Sequence, residues 1–225
     1  RGGAYILAAN HIGAFDPFVL TAACARRRLA PRIMATGGLF RAPVVGALMR
    51  TAGHIRVERR SPTVTEALGS AEEALAIGSV VLAYPEGRIT LDPAMWPERG
   101  KTGLARLAVA SGAAVVPVAQ WGAHLVLPWG APRHTLGRLL WSLLHRPIVR
   151  VHFGQPLVFK DTGQGARAVR DATDAIMDRI VADLTPLRTD EPRLPRWIDP
   201  GRPLSTVRTH RISGRYPGEL RASRT

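Results

Sequence analysis

Short apolar runs alternate with amphipathic stretches along most of the chain. Tyr5–Ala9 is a compact apolar run that ends at Asn10-His11, and Val80–Tyr84 and Val115–Ala119 share its texture. Each is the length of a buried strand. Arg32–Ala35, Ile55 with Val57, and Ile148–Phe153 complete the strand-like set. Between these runs the period changes. Asp16-Pro17 opens a helix, with Asp16 as the expected N-cap and Pro17 at the first helical position. It runs to Arg26-Arg27-Arg28, whose charges suit a helix C-terminus. Phe40–Met49 reads as a short helix interrupted by Pro43. Thr65–Ile77 carries Ala67, Leu68, Ala71 and Leu75 on one side and Glu66, Glu72 and Glu73 elsewhere, and Gly78 stops it. Leu104–Ala110, Leu136–Leu144 and the long Ala166–Leu184 are the remaining helices.

Strands alternating with helices predict an α/β fold: a single domain over residues 1–185, with a mostly parallel central sheet covered by helices. Pro117, inside an apolar run, points to an edge or irregular strand position. After Pro186 the periodicity is lost, and residues 186–225 read as a basic, Pro/Arg-rich tail, extended or disordered. Arg193, Arg196, Arg202, Arg208, Arg211, Arg215, Arg221 and Arg224 make it a candidate for anionic lipid, at roughly 1 kcal/mol per residue near the surface.

Charge sharpens the picture. The net charge of +14 over 225 residues favours anionic partners: nucleic acid, an anionic membrane face, or phosphorylated and CoA-like substrates. The basic residues are not interleaved with aromatic stacking positions, so nucleic acid is not expected. The single Cys24 excludes an internal disulfide and a cysteine-rich zinc site, and its helical position suits packing. Leu107–Pro132 lacks Asp, Glu, Lys and Arg, but Gly112, Pro117, Gly122 and Pro128 break it, so no transmembrane helix is expected there. The chain enters its first strand almost at once after Arg1, and a preceding piece, from a short arm to a membrane helix, is expected.

Four clusters carry candidate chemistry. In Asn10–Phe18, His11 sits at a strand end and Asp16 at a helix start, close enough to meet across the turn. Asp16 would then orient the imidazole and leave its second nitrogen to take a proton, the base-orienter half of a triad without a nucleophile. A plain N-cap beside an incidental histidine is the alternative. In Gly53–Arg60, Ile55 and Val57 share one strand face, and Arg59 and Arg60 follow where a guanidinium fork suits phosphate. A solvated basic edge fits the same residues. In Tyr84–Thr90, Glu86 lies at the carboxyl edge of the sheet and Gly87 permits close approach, while Lys101, Thr102 and Gly103 open the next helix in a way that suits an anion. Val115–Ala119 is fourth. A G-x-S-x-G elbow, a P-loop and a His-Glu-x-x-His helix are all absent.

In this order the clusters resemble the four sequence blocks of the 1-acylglycerol-3-phosphate acyltransferase family. N-H-x-x-x-x-D is matched by Asn10, His11 and Asp16. The second block is matched by Gly53, Ile55, Val57 and Arg59, the Pro-Glu-Gly block by Pro85, Glu86 and Gly87, and the V-P-V strand by Val116, Pro117 and Val118. The likeness covers about residues 4–160. One departure stands out: the family's arginine three positions after the glutamate is Ile89 here, with Arg88 one place earlier. The resemblance implies a glycerolipid acyltransferase-like fold, with His11 as general base and Asp16 as its orienter. It also implies that Arg59, Glu86, Gly87 and Arg88 bind substrate, and Lys101 joins them as a substrate-binding candidate from its place before a helix. The implied reaction moves a fatty acyl group from acyl-CoA or acyl carrier protein to lysophosphatidic acid, forming phosphatidic acid without an acyl-enzyme. No metal or bound cofactor is implied, and the expected place is the cytoplasmic face of the cell membrane, peripheral or anchored by a preceding segment. The alternatives are acylation of another lysolipid or glycolipid, an inactive lipid-binding relative, and a nucleic-acid-binding protein.

Overall fold

The computed structural model of this chain describes residues 3–58, 64–129, 134–159, 165–189, 197–203 and 210. Arg59, and all of the tail arginines named above except Arg202, lie outside the described residues.

A six-stranded sheet forms the centre. Its strands are β1 (Tyr5–Ala9), β2 (Arg32–Thr36), β3 (Ile55–Val57), β4 (Val81–Ala83), β5 (Ala114–Trp121) and β6 (Arg150–Phe153). They lie in the order β3-β2-β4-β1-β5-β6. All neighbours are parallel except β5 and β6. The helices are α1 (Asp16–Ala25), α2 (Gly37–Arg41), α3 (Pro43–Thr51), α4 (Val64–Ala76), α5 (Gly103–Ser111), α6 (Ala123–Val126), α7 (Thr135–His145) and α8 (Ala166–Leu184). This is the expected α/β domain. The helix expected over Phe40–Met49 is two helices, because Ala42 is extended and Pro43 starts the second.

Alternation along the central strands builds two cores. Ile6 and Ala8 of β1, with Val81 and Ala83 of β4, face α4, α5 and α8, where Ala71, Leu104, Leu107, Ile176 and Ile180 are buried. Leu7, Ala9 and Leu82 face α1, against Leu20 and Cys24. Cys24 is thus a packing residue, as its position implied.

Pro117 is not at an edge. It lies in β5, between β1 and β6, opposite Ala8. It is irregular in another sense: the antiparallel ladder with β6 ends at Val118, and pairing resumes as an isolated bridge between Val115 and Leu157. The missing N–H of proline falls in that gap, where its carbonyl still accepts from Gly154 N–H at 2.8 Å.

Beyond residue 185, several of the described residues contact the domain. After the turn Thr185–Leu187, Arg188 is buried between the rings of Trp96 and Trp121, 3.9 and 4.1 Å from their centroids. Asp199 N–H donates to Pro93 O at 2.8 Å, and His210 N–H to Pro97 O at 2.8 Å. Among the described residues, no helix is long and apolar enough to cross a membrane.

Ile6 is fully buried in the centre of the sheet. Ile6→Ala is expected to cost about 2–5 kcal/mol, measured as a lowered urea midpoint with an unchanged slope.

Candidate active site

The sheet register brings the motif residues together. Ala8 of β1 pairs with Ala83 of β4, so His11 and Glu86, each three residues further on, leave the same edge side by side. His11 N–H donates to Glu86 Oε1 at 3.0 Å, and Glu86 Oε2 accepts from Glu98 N–H at 2.8 Å. Thr90 N–H closes the cluster on the His11 carbonyl at 2.7 Å. Gly87 turns the chain with a φ of +69°, a conformation glycine adopts without penalty. On the other side of β1, Asn10 and Gln120 exchange hydrogen bonds of 2.8–3.0 Å that lock the ends of β1 and β5.

His11 Nδ1 stands 2.7 Å from Asp16 Oδ2; the imidazole is 16% exposed and the carboxylate fully buried. The same oxygen accepts from Ile12 N–H at 2.6 Å and Gly13 N–H at 2.9 Å. Asp16 is therefore not the helix cap. Phe15 occupies that position without a side-chain bond, and Asp16, the first residue of α1, turns its carboxylate back toward the preceding loop. With a proton on Nδ1 facing the carboxylate, Nε2 carries a lone pair, the arrangement of an oriented general base. Tyr84 stacks on the imidazole with centroids 4.0 Å apart and planes at 18°. Its buried hydroxyl is held well above the usual phenol range by desolvation.

Glu86 is buried beneath this loop. Desolvation pushes its carboxyl up to about 8, against the opposing effect of its two backbone N–H donors. It braces the loop from below and does not face an open space. Arg88 engages Glu98 through a fork, Nε to Oε2 at 2.9 Å and Nη2 to Oε1 at 3.1 Å. Lys101 is exposed, and its methylenes run beside Gly87, where an added Cβ would lie 3.6 Å from them. The structure thus gathers His11, Asp16, Glu86, Gly87, Arg88 and Lys101; the His11 Nε2 side and the Lys101 ammonium are not used by these hydrogen bonds.

Three participants were not singled out from sequence: Glu98, Gln120 and Arg202. Arg202, which composition alone groups with the basic tail, is 3% exposed. Its guanidinium donates to the carbonyls of Ile12 and Thr90, joining the His11 loop to the Glu86 loop, and its Nε lies 3.4 Å from Asp199. Burial lowers its pKa, while Asp199 and Asp16 act to raise it. Nearby, His124 is held neutral: burial, with Arg202 and Arg188 adding to it, pulls its pKa down to about 4. No local pattern marks Arg202, since its partners lie 112 and 190 residues away.

Among the described residues, no group of three or more His, Cys, Asp or Glu is placed to hold a metal ion. A cleft of about 830 Å³ between β3 and α4, lined by Arg32, His54, Arg56, Glu66 and Glu73, shares no residue with the His11 cluster.

A family model for acyltransferases matches residues 1–121, more than half of the chain and all of this cluster except Arg202. The chain belongs to that acyltransferase family, as the motif resemblance implied. Among solved structures it is similar to PlsC from Thermotoga maritima, a 1-acyl-sn-glycerophosphate (LPA) acyltransferase. The TM-score is 0.55 at 18% identity, over 79% of this chain and 64% of that one. The likeness supports the fold, and this chain spans less than two thirds of the PlsC chain. No curated protein matches.

Two outcomes follow from this geometry. Glu86 binds its proton more tightly folded, at about 8, than unfolded, near its ordinary 4.5, so its contribution to stability is full below about pH 4.5 and is lost as pH rises toward 8. Melting temperatures of wild type and Glu86→Gln, measured from about pH 5 to 8, should diverge in favour of the variant as pH rises. Arg202→Ala strands two buried carbonyls and should lower stability by about 1–3 kcal/mol, read from urea unfolding.

Proposed function

We propose that this protein transfers a fatty acyl group from a thioester to the free hydroxyl of lysophosphatidic acid, making phosphatidic acid. The observation that carries the proposal is the 2.7 Å contact between His11 and buried Asp16, in a chain of the acyltransferase family. His11 Nε2 takes the hydroxyl proton as the oxygen attacks the thioester carbonyl. Asp16 stabilises the imidazolium that forms. Collapse of the tetrahedral intermediate breaks the C–S bond, and the leaving thiolate recovers the proton. The attacking group belongs to the acceptor, so no acyl-enzyme is needed. The donor is acyl-CoA or acyl carrier protein, and the acceptor is presented at an anionic membrane surface on the cytoplasmic side. PlsC's activity on 1-acyl-sn-glycerophosphate supports the choice of acceptor.

Lys101 is the residue of choice for the acceptor's phosphate, together with Arg59, two residues after Val57 in the sequence. Arg88 serves the site through Glu98, whose backbone N–H holds Glu86. That engagement favours a second reading, in which the acceptor is a different lysolipid or glycolipid. With neither Ile89 nor Arg88 offering a free guanidinium, phosphate recognition rests on fewer cations.

The test is thiol release from oleoyl-CoA with lysophosphatidic acid, wild type beside His11→Ala. Acceptor-dependent release should fall about 10²–10⁴-fold in the variant while the fold, checked by circular dichroism, is retained, because the Ile12 and Gly13 N–H bonds to Asp16 remain. Equal rates would remove His11 from the reaction. Wild-type activity confined to a non-phosphorylated lysolipid would favour the second reading.

A further inference from the structure

Helix α7 contradicts the usual economy of a globular domain. Leu136, Leu140, Leu143 and Leu144 lie at i, i+4, i+7 and i+8, one face of the helix, and they are 53–81% exposed. Trp141 flanks the stripe, and Ile148, just past the helix, is also exposed. No residue of α7 is buried. Ser142 Oγ donates to Val126 O at 3.2 Å and ties α7 to α6. A contiguous apolar face of this kind on a surface marks an interaction site.

Charge identifies the occupant. Arg138 and Arg146 border the leucine face, with the Arg138 guanidinium 4.9 Å from the centroid of Trp141. From Arg99 to Lys160 the sequence contains eight Lys and Arg and no Asp or Glu. An apolar face with a cationic border suits a bilayer with anionic headgroups, where the leucines reach the acyl boundary and the guanidinium groups stay with lipid phosphate. Pairing of this face with a second copy across a two-fold axis would bring the same cations together with no carboxylate to offset them.

The helix also lies next to the catalytic loop. Val126, bonded to Ser142, precedes Leu127, whose carbonyl stands 3.5 Å from where a Cβ on Gly13 would be. Gly13 in turn donates to Asp16. We propose that α7 lies in the plane of an anionic membrane, with its leucine face in the acyl boundary and Arg138 and Arg146 at the phosphates, bringing the His11 loop to the surface that holds a lipid acceptor. Only the last clause depends on the acyl-transfer reading.

The experiment is sedimentation of the full chain with vesicles of phosphatidylcholine alone or mixed with phosphatidylglycerol. The comparison includes a Leu140→Ser/Leu144→Ser variant and an Arg138→Glu/Arg146→Glu variant. Wild type should bind the mixed vesicles in a salt-sensitive way, and the leucine variant at least about tenfold more weakly. The arginine variant should lose the preference for anionic vesicles. Acyl transfer to a short-chain lysophosphatidic acid below its micelle concentration should survive in the leucine variant, which also reports that it is folded. Equal vesicle binding by wild type and leucine variant would overturn the proposal, as would a wild-type dimer in solution that the leucine variant dissociates without any vesicle binding. Sedimentation needs no turnover, so absence of activity on every acceptor would count against the acyl-transfer reading and leave the binding result standing.

Discussion

Asp16 Oδ2 accepts from the His11 ring, from Ile12 N–H and from Gly13 N–H, all within 2.9 Å. A buried carboxylate is costly unless donors surround it, and here the donors come from the loop it must organise. The charge at the start of α1 thus folds the loop back on itself, fixes the ring orientation and selects which nitrogen faces outward. The guanidinium of Arg202 adds a second, electrostatic support, since it bonds the Ile12 carbonyl of the same loop.

The rest of the cluster is scaffolding for that loop. Parallel pairing of β1 and β4 sets His11 beside Glu86, and Glu86 links the loop to Glu98. Asn10 and Gln120 hold the opposite flank. The strands therefore carry His11, while exposed Lys101 comes from the segment before α5 and the exposed leucine face from α7. Under the two proposals made above, that division leaves the chemistry on the strands and gives contact with a lipid surface to a separate helix.

At its described positions, the C-terminal part uses arginine differently from what its composition suggests. Arginine there reads as solvated charge, and at Arg188 and Arg202 it is buried structure. Arg188 fills a slot between two tryptophans, where a planar, weakly hydrated cation is stabilised by aromatic faces. Arg202 satisfies carbonyls that a loop leaves open. Both uses need the guanidinium's several fixed donors, and lysine would serve neither well.

The sequence by itself determined the strands and helices, because periods of two and about 3.6 are local properties of the chain. It also determined the dyad: His11 and Asp16 are five residues apart, and one turn brings them together. Only the tertiary structure decided that the Asp16 carboxylate turns to the His11 ring and does not cap a helix, since the choice depends on where the loop's N–H groups point. The same holds for Pro117, whose place inside the sheet follows from the end of β6, a distant segment. Arg88 turned to Glu98, and Arg202 reaching across 190 residues to Ile12, were likewise decided by packing. Contacts at that separation have no local pattern, because the chain between them is free to vary without changing which groups meet.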